Sequence, residues 1–261
     1  MTTETVDFDA ARRFGGLDRL YGAAGARRIR GSHVMVVGIG GVGSWAVEAL
    51  ARSGVGRITM VDMDHVSESN INRQVHATQQ TLGLSKIAAM QDRIALINPE
   101  CTVTCIDEFV TPENWLSFVP NDVDVVIDAC DQVHAKVAMA TWALRQKSSK
   151  KLFISVGAAG GKRLAHLVDI DDLSKTTHDP LLAQLRYRLR KEHAAPREGR
   201  KIGVNCIFSK EAVKQPIKAN DADSSDNTLN CHGYGSVVSV TATFGQCAAG
   251  WALDKLANLA Q

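Results

Sequence analysis

The 261-residue chain is 45% hydrophobic and 22% charged, enough apolar material to bury a sizeable core and to exclude a disordered or disulfide-stapled chain. Lys and Arg number 30 against 28 Asp and Glu, and the resulting net charge of +2 excludes a strongly basic nucleic-acid coat protein while allowing a local basic patch. The opening MTTETVDFDAARRFGG has no apolar h-region, so no signal peptide is expected and the cytoplasm is the default reading.

The run from His33 to Asp64 reads as strand, glycine turn, helix and strand. His33–Val37 is a β-branched run, Ser44–Ser53 repeats apolar residues at helical spacing, and Arg57–Val61 is strand again. Ser85–Ile97 reads as a helix ending at Asn98-Pro99, Thr102–Ile106 and Val123–Ile127 as strands, Val133–Gln146 as a helix, and Lys151–Val156 as a strand. Strands alternating with helices imply a doubly wound α/β fold with a mainly parallel, Rossmann-like sheet. Beyond Gly157 the pattern changes: Ala165–Ile170 alternates like an antiparallel strand, Pro180–Lys191 is a basic helix, Gly203–Phe208 is strand-like, and Ser209–Asn230 is a polar loop. Gly233–Leu253 carries no charge over a length that could span a bilayer, but Ser236, Ser239, Thr241, Thr243 and Gln246 favour a buried helix, suited to a subunit interface. The whole chain is read as one unit, with a nucleotide-binding core over about 13–157 and a C-terminal substrate and dimer elaboration over about 158–261.

Gly38-Ile39-Gly40-Gly41-Val42-Gly43 fits GxGxxG between a strand and a helix. Glycines there let the backbone approach a phosphate whose charge meets the helix N-terminus. Asp62 ends the next strand about twenty residues on, where a carboxylate suits ribose hydroxyls. Taken alone, this pair leans towards NAD. Asp64, the polar loop Glu68–Gln74 with Asn70, Asn72 and Arg73, and Lys86 at a helix start move the reading to ATP, because an Arg and a Lys there can neutralise a triphosphate. For Lys86 alone, a surface lysine is the simpler reading.

Asp128 and Asp131 flank Ala129-Cys130 at the end of the fourth strand of this alternation, and two carboxylates beside a nucleotide can carry Mg2+. Asp131 also stands where a helix cap is needed. The cysteines at 101, 105, 130, 206, 231 and 247 contain no CxxC pair, which argues against a structural zinc site. Cys101, Cys105, Cys206 and Cys247 read as buried small hydrophobes, and Cys130 as packing beneath the nucleotide. Arg186, Arg188, Arg190 and Lys191 lie on one helix, followed by Arg197, Arg200 and Lys201; Arg186 and Arg190 share a face that could contact RNA phosphates, or the run is simply a solvated face.

The set GxGGxGS, DMD, NxNRQ, a downstream Lys and DAxD resembles the ATP-dependent adenylating enzymes related to ubiquitin activation. Gln132 departs from that pattern, in which Asn often follows the second Asp. Within the superfamily, RRFGGLDRLYG, the missing zinc pairs and Asn230–Ser236 followed by TATFG resemble the tRNA threonylcarbamoyladenosine dehydratases, over about Arg13 to Trp251.

The resemblance implies an ATP-dependent enzyme with Mg2+ and a tRNA substrate. Gly38, Gly40, Gly41, Gly43, Asp62, Asp64, Asn70, Arg73, Lys86, Asp128 and Asp131 would hold nucleotide and metal, and Arg73 and Lys86 would also act in catalysis. It further implies that Arg13, or Arg12, reaches the ATP of a homodimer partner, and that Cys231 is the candidate catalytic cysteine. A helix start after Cys231 would favour a thiolate; a merely packed thiol is the alternative. Members are also linked at times to a cysteine desulfurase-associated sulfur acceptor. The reaction implied is ATP-dependent cyclisation of the threonylcarbamoyl side chain next to the anticodon with loss of water. Two other activities remain on this reading: adenylation of the C-terminus of a ubiquitin-like sulfur carrier, and a non-enzymatic dinucleotide-binding or redox-sensing module.

Overall fold

Every residue of the strand His33–Val37 (β1) is buried. Such a strand is stable only at the centre of a sheet covered on both faces, and that is where the computed structural model, which describes residues 8–146, 151–197, 199–215 and 234–259, puts it. In chain order the elements are α1 (Ala10–Gly31), β1, α2 (Gly43–Arg52), β2 (Arg57–Val61), α3 (Lys86–Ile97), β3 (Thr102–Ile106), α4 (Trp115–Phe118), β4 (Val125–Asp128), α5 (Val133–Arg145), β5 (Leu152–Val156), β6 (Val168–Asp172), α6 (Pro180–Glu192), β7 (Asn205–Ser209) and α7 (Val238–Ala257). The seven strands run in the order β3-β2-β1-β4-β5-β7-β6. All neighbours are parallel except β6, which pairs antiparallel with β7 through Val168–Ser209 to Asp172–Asn205.

Alternation along β1 sends Val34 and Val36 into one apolar layer with α2, α3 and α7, and Met35 and Val37 into the other with α5 and α6. The chain leaves β1 for β2 on one side and reaches β4 on the other, so the connections at the carboxyl ends of β1 and β4 diverge. In a doubly wound sheet that divergence is where a ligand crevice opens.

The structure departs from the sequence reading in several places. Residues 10–31 form a helix despite its interior glycines, with the Asp9 side chain accepting from Arg12 N at 3.0 Å and a break at Gly22, whose φ is 71°. Trp115–Phe118 forms a short helix that propensity did not mark. The antiparallel strand begins at Val168, because Ala165–Leu167 is a 3-10 turn. The uncharged C-terminal run becomes α7, buried within its own chain: Gly245 lies so close to the start of α2 that a Cβ there would collide with the Val42 carbonyl. Half of its residues are buried in this way, while Val237 and Val238 at its start are exposed. Among the described residues, no helix is long and apolar enough to cross a membrane.

Candidate active site

A cavity of about 670 Å³ opens at the carboxyl ends of the central strands, lined by the glycine turn, Asp62, Asp64, Arg73, Gln74, Lys86 and the 129–133 loop. Two glycines shape it by close approach. Gly38 has a φ of 87° and its Cβ would lie 2.9 Å from the Ala129 backbone, while a Cβ on Gly43 would strike the Gly38 carbonyl. Gly38, Gly40 and Gly41 line the cavity; a Cβ on Gly40 would meet nothing within 4 Å, whereas one on Gly41 would lie 3.3 Å from Arg73 Cγ. Gly38 and Gly43 therefore allow the turn to form, Gly40 leaves backbone open towards a ligand, and Gly41 lets the Arg73 side chain come close.

The next layer of the site is ionic. Asp62 Oδ2 accepts from Ile39 N at 2.6 Å and Oδ1 from Asp64 N at 2.8 Å, tying the end of β2 to the glycine turn. Burial raises its pKa against the pull of Lys86 and these amides. Lys86 is buried rather than on the surface; its Nζ lies 2.6 Å from Asp64 Oδ2 and 3.9 Å from Asp62 Oδ1. Arg73 Nη1 donates to Ser69 O at 2.7 Å and to Asn72 Oδ1 at 2.9 Å, and Trp45 Nε1 holds the Arg73 carbonyl at 2.9 Å. Asn72 Nδ2 in turn donates to Ser236 O at 3.1 Å, so the polar loop ties to the segment leading into α7. Beside Arg73, Gln74 Oε1 is buried with no hydrogen-bond partner among the described residues.

The two aspartates after β4 separate in role. Asp128 is fully buried and does not line the cavity: Oδ1 receives Lys136 Nζ at 3.1 Å and Oδ2 receives Ser155 Oγ at 2.6 Å. Lys136 Nζ also donates to Val156 O at 2.7 Å, so this network joins the ends of β4 and β5 beneath the cavity. The expected metal role of Asp128 is therefore corrected, since a carboxylate sealed against a lysine has no open side for a cation. Asp131 is exposed, lines the cavity and accepts no hydrogen bond from the described residues. It also does not cap α5, whose N-cap is Gln132. Cys130 lines the cavity too, but its Sγ donates to Asp128 Oδ1 at 3.1 Å, and burial with that carboxylate pushes its pKa well up, so it stays a thiol.

Three further expectations shift. Asn70 is buried outside the cavity, where its Oδ1 accepts from Ser67 N at 3.1 Å and fixes the turn that presents Arg73. Arg13 lies away from this cavity, against Arg52, Arg93 and Leu96, with Nη1 donating to Ile97 O at 2.7 Å. Arg186 and Arg190 are not a phosphate-facing pair: Arg186 Nη1 binds Leu173 O and Thr176, and Arg190 Nε binds Pro196 O at 3.1 Å. Their spacing does put both on one face, but that face is turned into the chain. Cys231 and His232 lie outside the described residues.

Sequence reasoning missed a second buried cluster at the cavity's far wall. Asp179 caps α6 by accepting from Leu182 N at 2.9 Å and accepts from Ala158 N at 2.9 Å, while Lys162 donates to the carbonyls of His178 and Glu211. Glu211 Oε2 takes the amides of Arg163 and Leu164, each at 2.8 Å. The Asp-Pro pair at 179–180 was a readable helix-start signal; Lys162 and Glu211 belong to no motif, and only the fold joins them.

The profile of the ThiF family matches residues 16–260 of the chain. The chain is 43% identical to the tRNA threonylcarbamoyladenosine dehydratase of Haemophilus influenzae, over 94% of this chain and 93% of that protein. To the Escherichia coli protein of the same name it is 42% identical, over 94% and 93% of the two chains. The crystal structure of the E. coli dehydratase with ATP superposes with a TM-score of 0.84 at 42% identity, covering 97% of each chain. A solved complex of that enzyme with AMP gives the same score and identity over 97% and 98%. With the family profile spanning nearly its whole length, the chain belongs to the ThiF family.

Proposed function

We propose that the chain is an ATP-dependent tRNA threonylcarbamoyladenosine dehydratase. Arg73, Lys86 and Asp131 gathered around an open glycine turn, in a chain 43% identical over nearly its whole length to a protein of that name, carry the reading. The substrate's free carboxylate attacks the α-phosphorus of ATP and expels pyrophosphate, giving an acyl-adenylate. Attack of the carbamoyl oxygen on the activated carbonyl then closes an oxazolone ring, expels AMP and releases the adjacent N–H proton; the oxygen leaving with AMP, that proton and the acid's own proton together account for the water lost.

The cavity suits the nucleotide. Gly40 leaves open backbone for phosphates, Gly41 lets Arg73 come close to the glycine turn, Asp62 is the proposed ribose partner, and Lys86 and Arg73 would offset the charge that develops on the phosphates. Asp131 is the proposed Mg2+ ligand. Among the described residues no group of three or more His, Cys, Asp or Glu is placed to hold a metal, so phosphate oxygens and water would complete the shell. Bound there, Mg2+ would offset phosphate charge. Cys231 is the proposed nucleophile of any thioester step, a reading supported by the other five cysteines, all of whose thiols burial pushes up.

The site draws on both parts of the chain, since Pro180, Gln184 and Thr241 also line the cavity; this supports one functional unit with a core over 13–157 and an elaboration over 158–261. A cytoplasmic homodimer, in which Arg13 serves the partner's site, and a sulfur acceptor linked to a cysteine desulfurase complete the proposal. Sulfur-carrier adenylation is less well supported: an adenylyltransferase and sulfurtransferase of Drosophila willistoni matches only 43% of this chain, at 34% identity.

Incubating tRNA that bears threonylcarbamoyladenosine with enzyme, ATP and Mg2+, then weighing the nucleoside after digestion free of amines and base, tests the reaction. A loss of one water mass that requires ATP is expected, and Arg73→Ala or Asp131→Ala should cut the rate by about 10²-fold or more. An unchanged mass, with ATP–pyrophosphate exchange only on adding a small carrier protein, overturns it.

A further inference from the structure

The side of α6 that faces away from the core carries its own pattern. Leu182, Leu185 and Leu189 are buried on one side, and Arg186 and Arg190 bond back to their own chain. Gln184, Tyr187, Arg188 and Lys191, at i, i+3, i+4 and i+7, form a continuous exposed stripe on the opposite side. Tyr187 is 62% exposed, unusual for a large aromatic ring, and Lys191 Nζ lies 5.7 Å from its centroid. At the other end of the stripe, Gln184 lines the catalytic cavity. The stripe thus starts at the cavity rim and runs about 10 Å outward along the helix.

Beyond α6 the chain is pinned to the helix end by the Arg190–Pro196 bond and by Ala195 N donating to Leu189 O at 3.1 Å. This brings the exposed Arg197, Arg200 and Lys201 to the same end. None of Arg188, Lys191, Arg197, Arg200 or Lys201 forms an ion pair among the described residues, although Glu192 stands at the stripe's edge. A largely exposed ring with Lys191 beside it and further cations in line suits stacked bases and their phosphates. An acidic protein would match the cations but would give the exposed ring no partner face.

We propose that the Gln184–Tyr187–Arg188–Lys191 stripe is the track for the single-stranded RNA flanking the nucleoside in the cavity, with Tyr187 stacking a neighbouring base and Arg188 and Lys191 holding phosphates. The proposal rests on the dehydratase reading only for the identity of the nucleoside. Binding of RNA to the stripe is measured separately from turnover.

The test compares wild type, Y187A, Y187F and the double variant R188E/K191E, each checked for unchanged ATP affinity so that loss of fold is recognised. Affinity for the tRNA bearing threonylcarbamoyladenosine is measured across a salt series, and turnover alongside it. The double variant is expected to weaken tRNA binding at least tenfold and to flatten the log–log salt slope by about 1 to 2. Y187A should weaken binding about fivefold or more, while Y187F, which keeps the ring, stays near wild type. Wild-type affinity and salt slope in R188E/K191E and Y187A would overturn the stripe, whatever the turnover. If wild type binds tRNA through the stripe but leaves the nucleoside mass unchanged, the dehydratase reading fails and the RNA track stands.

Discussion

Beneath the cavity, Lys136 is fully enclosed: burial, the largest influence, lowers its pKa, but the charge and hydrogen bond of Asp128 together with the neighbouring Cys130 and Cys206 turn the net shift upward. Lys136→Met would leave Asp128 as an uncompensated buried carboxylate, so a destabilisation of about 3 to 5 kcal/mol is expected in chemical denaturation. D128N/K136M, which removes both charges, should recover much of it, and a double variant no better than the single one would show that the pair is not what the methionine disturbs. His76 offers the residue-scale test of pH. It is buried, neither ring nitrogen has a partner among the described residues, and burial together with Lys86 and Arg93 lowers its pKa to about 4. Between pH 6.5 and 4 the unfolded chain therefore binds a proton that the folded chain refuses, and stability falls as the pH drops through that window. Relative to His76→Leu, wild type should lose about 3 kcal/mol from pH 7 to pH 4. Parallel stability curves for the two proteins would mean that the folded state accepts the proton. Nothing in the sequence marked either residue, because Lys136 and His76 belong to no motif and owe their environments to groups on neighbouring elements that only the fold brings against them.

Among the elements, legibility followed how local the cause was. The parallel core was readable because each strand is a short β-branched run and each helix repeats at its own period, so pattern and tertiary burial agree. Helix α1 was not, since Gly15, Gly16 and Gly22 lower its propensity, and it is held instead by packing on α7, where a Cβ on Gly25 would lie 3.3 Å from Ala257 Cβ. The glycine turn and charged loop were legible by spacing. The inward turn of Arg186 and Arg190 was not, because it depends on the carbonyls of Leu173, Thr176 and Pro196. The crossing of α7 over α2 carries a prediction at this scale. Gly245 faces Val42 O, and a Cβ added to it would lie 2.8 Å from Trp45 Cβ and 2.9 Å from Ala46 N. Gly245→Val should therefore cost about 1 to 3 kcal/mol, and because Val42 and Gly43 begin the helix behind the phosphate turn, it should also raise the KM for ATP. A lowered melting temperature with an unchanged KM would show that the crossing supports the fold alone.

At the scale of the whole molecule, the placement of Arg13 makes the proposed dimer testable. Its guanidinium is bonded to Ile97 O and lies over Phe8 at 4.7 Å, on a depression shared with Arg52 and Arg93 rather than on the nucleotide cavity. If Arg13 acts in catalysis, a second copy supplies it, and a twofold dimer then holds two composite sites, each with Arg73 from one protomer and Arg13 from the other. R13A and R73A homodimers should both be nearly inactive, since each lacks one component at both sites. Mixed in equal amounts after dissociation and reassembly, half of the dimers become heterodimers; in each, the R13A protomer offers an intact Arg73 to the intact Arg13 of its R73A partner, while the second site lacks both. One working site in two, on half of the dimers, restores about a quarter of wild-type activity. Activity that stays at the level of the parent variants after verified subunit exchange would place any role of Arg13 within its own chain, and full activity in R13A alone would remove it from the reaction.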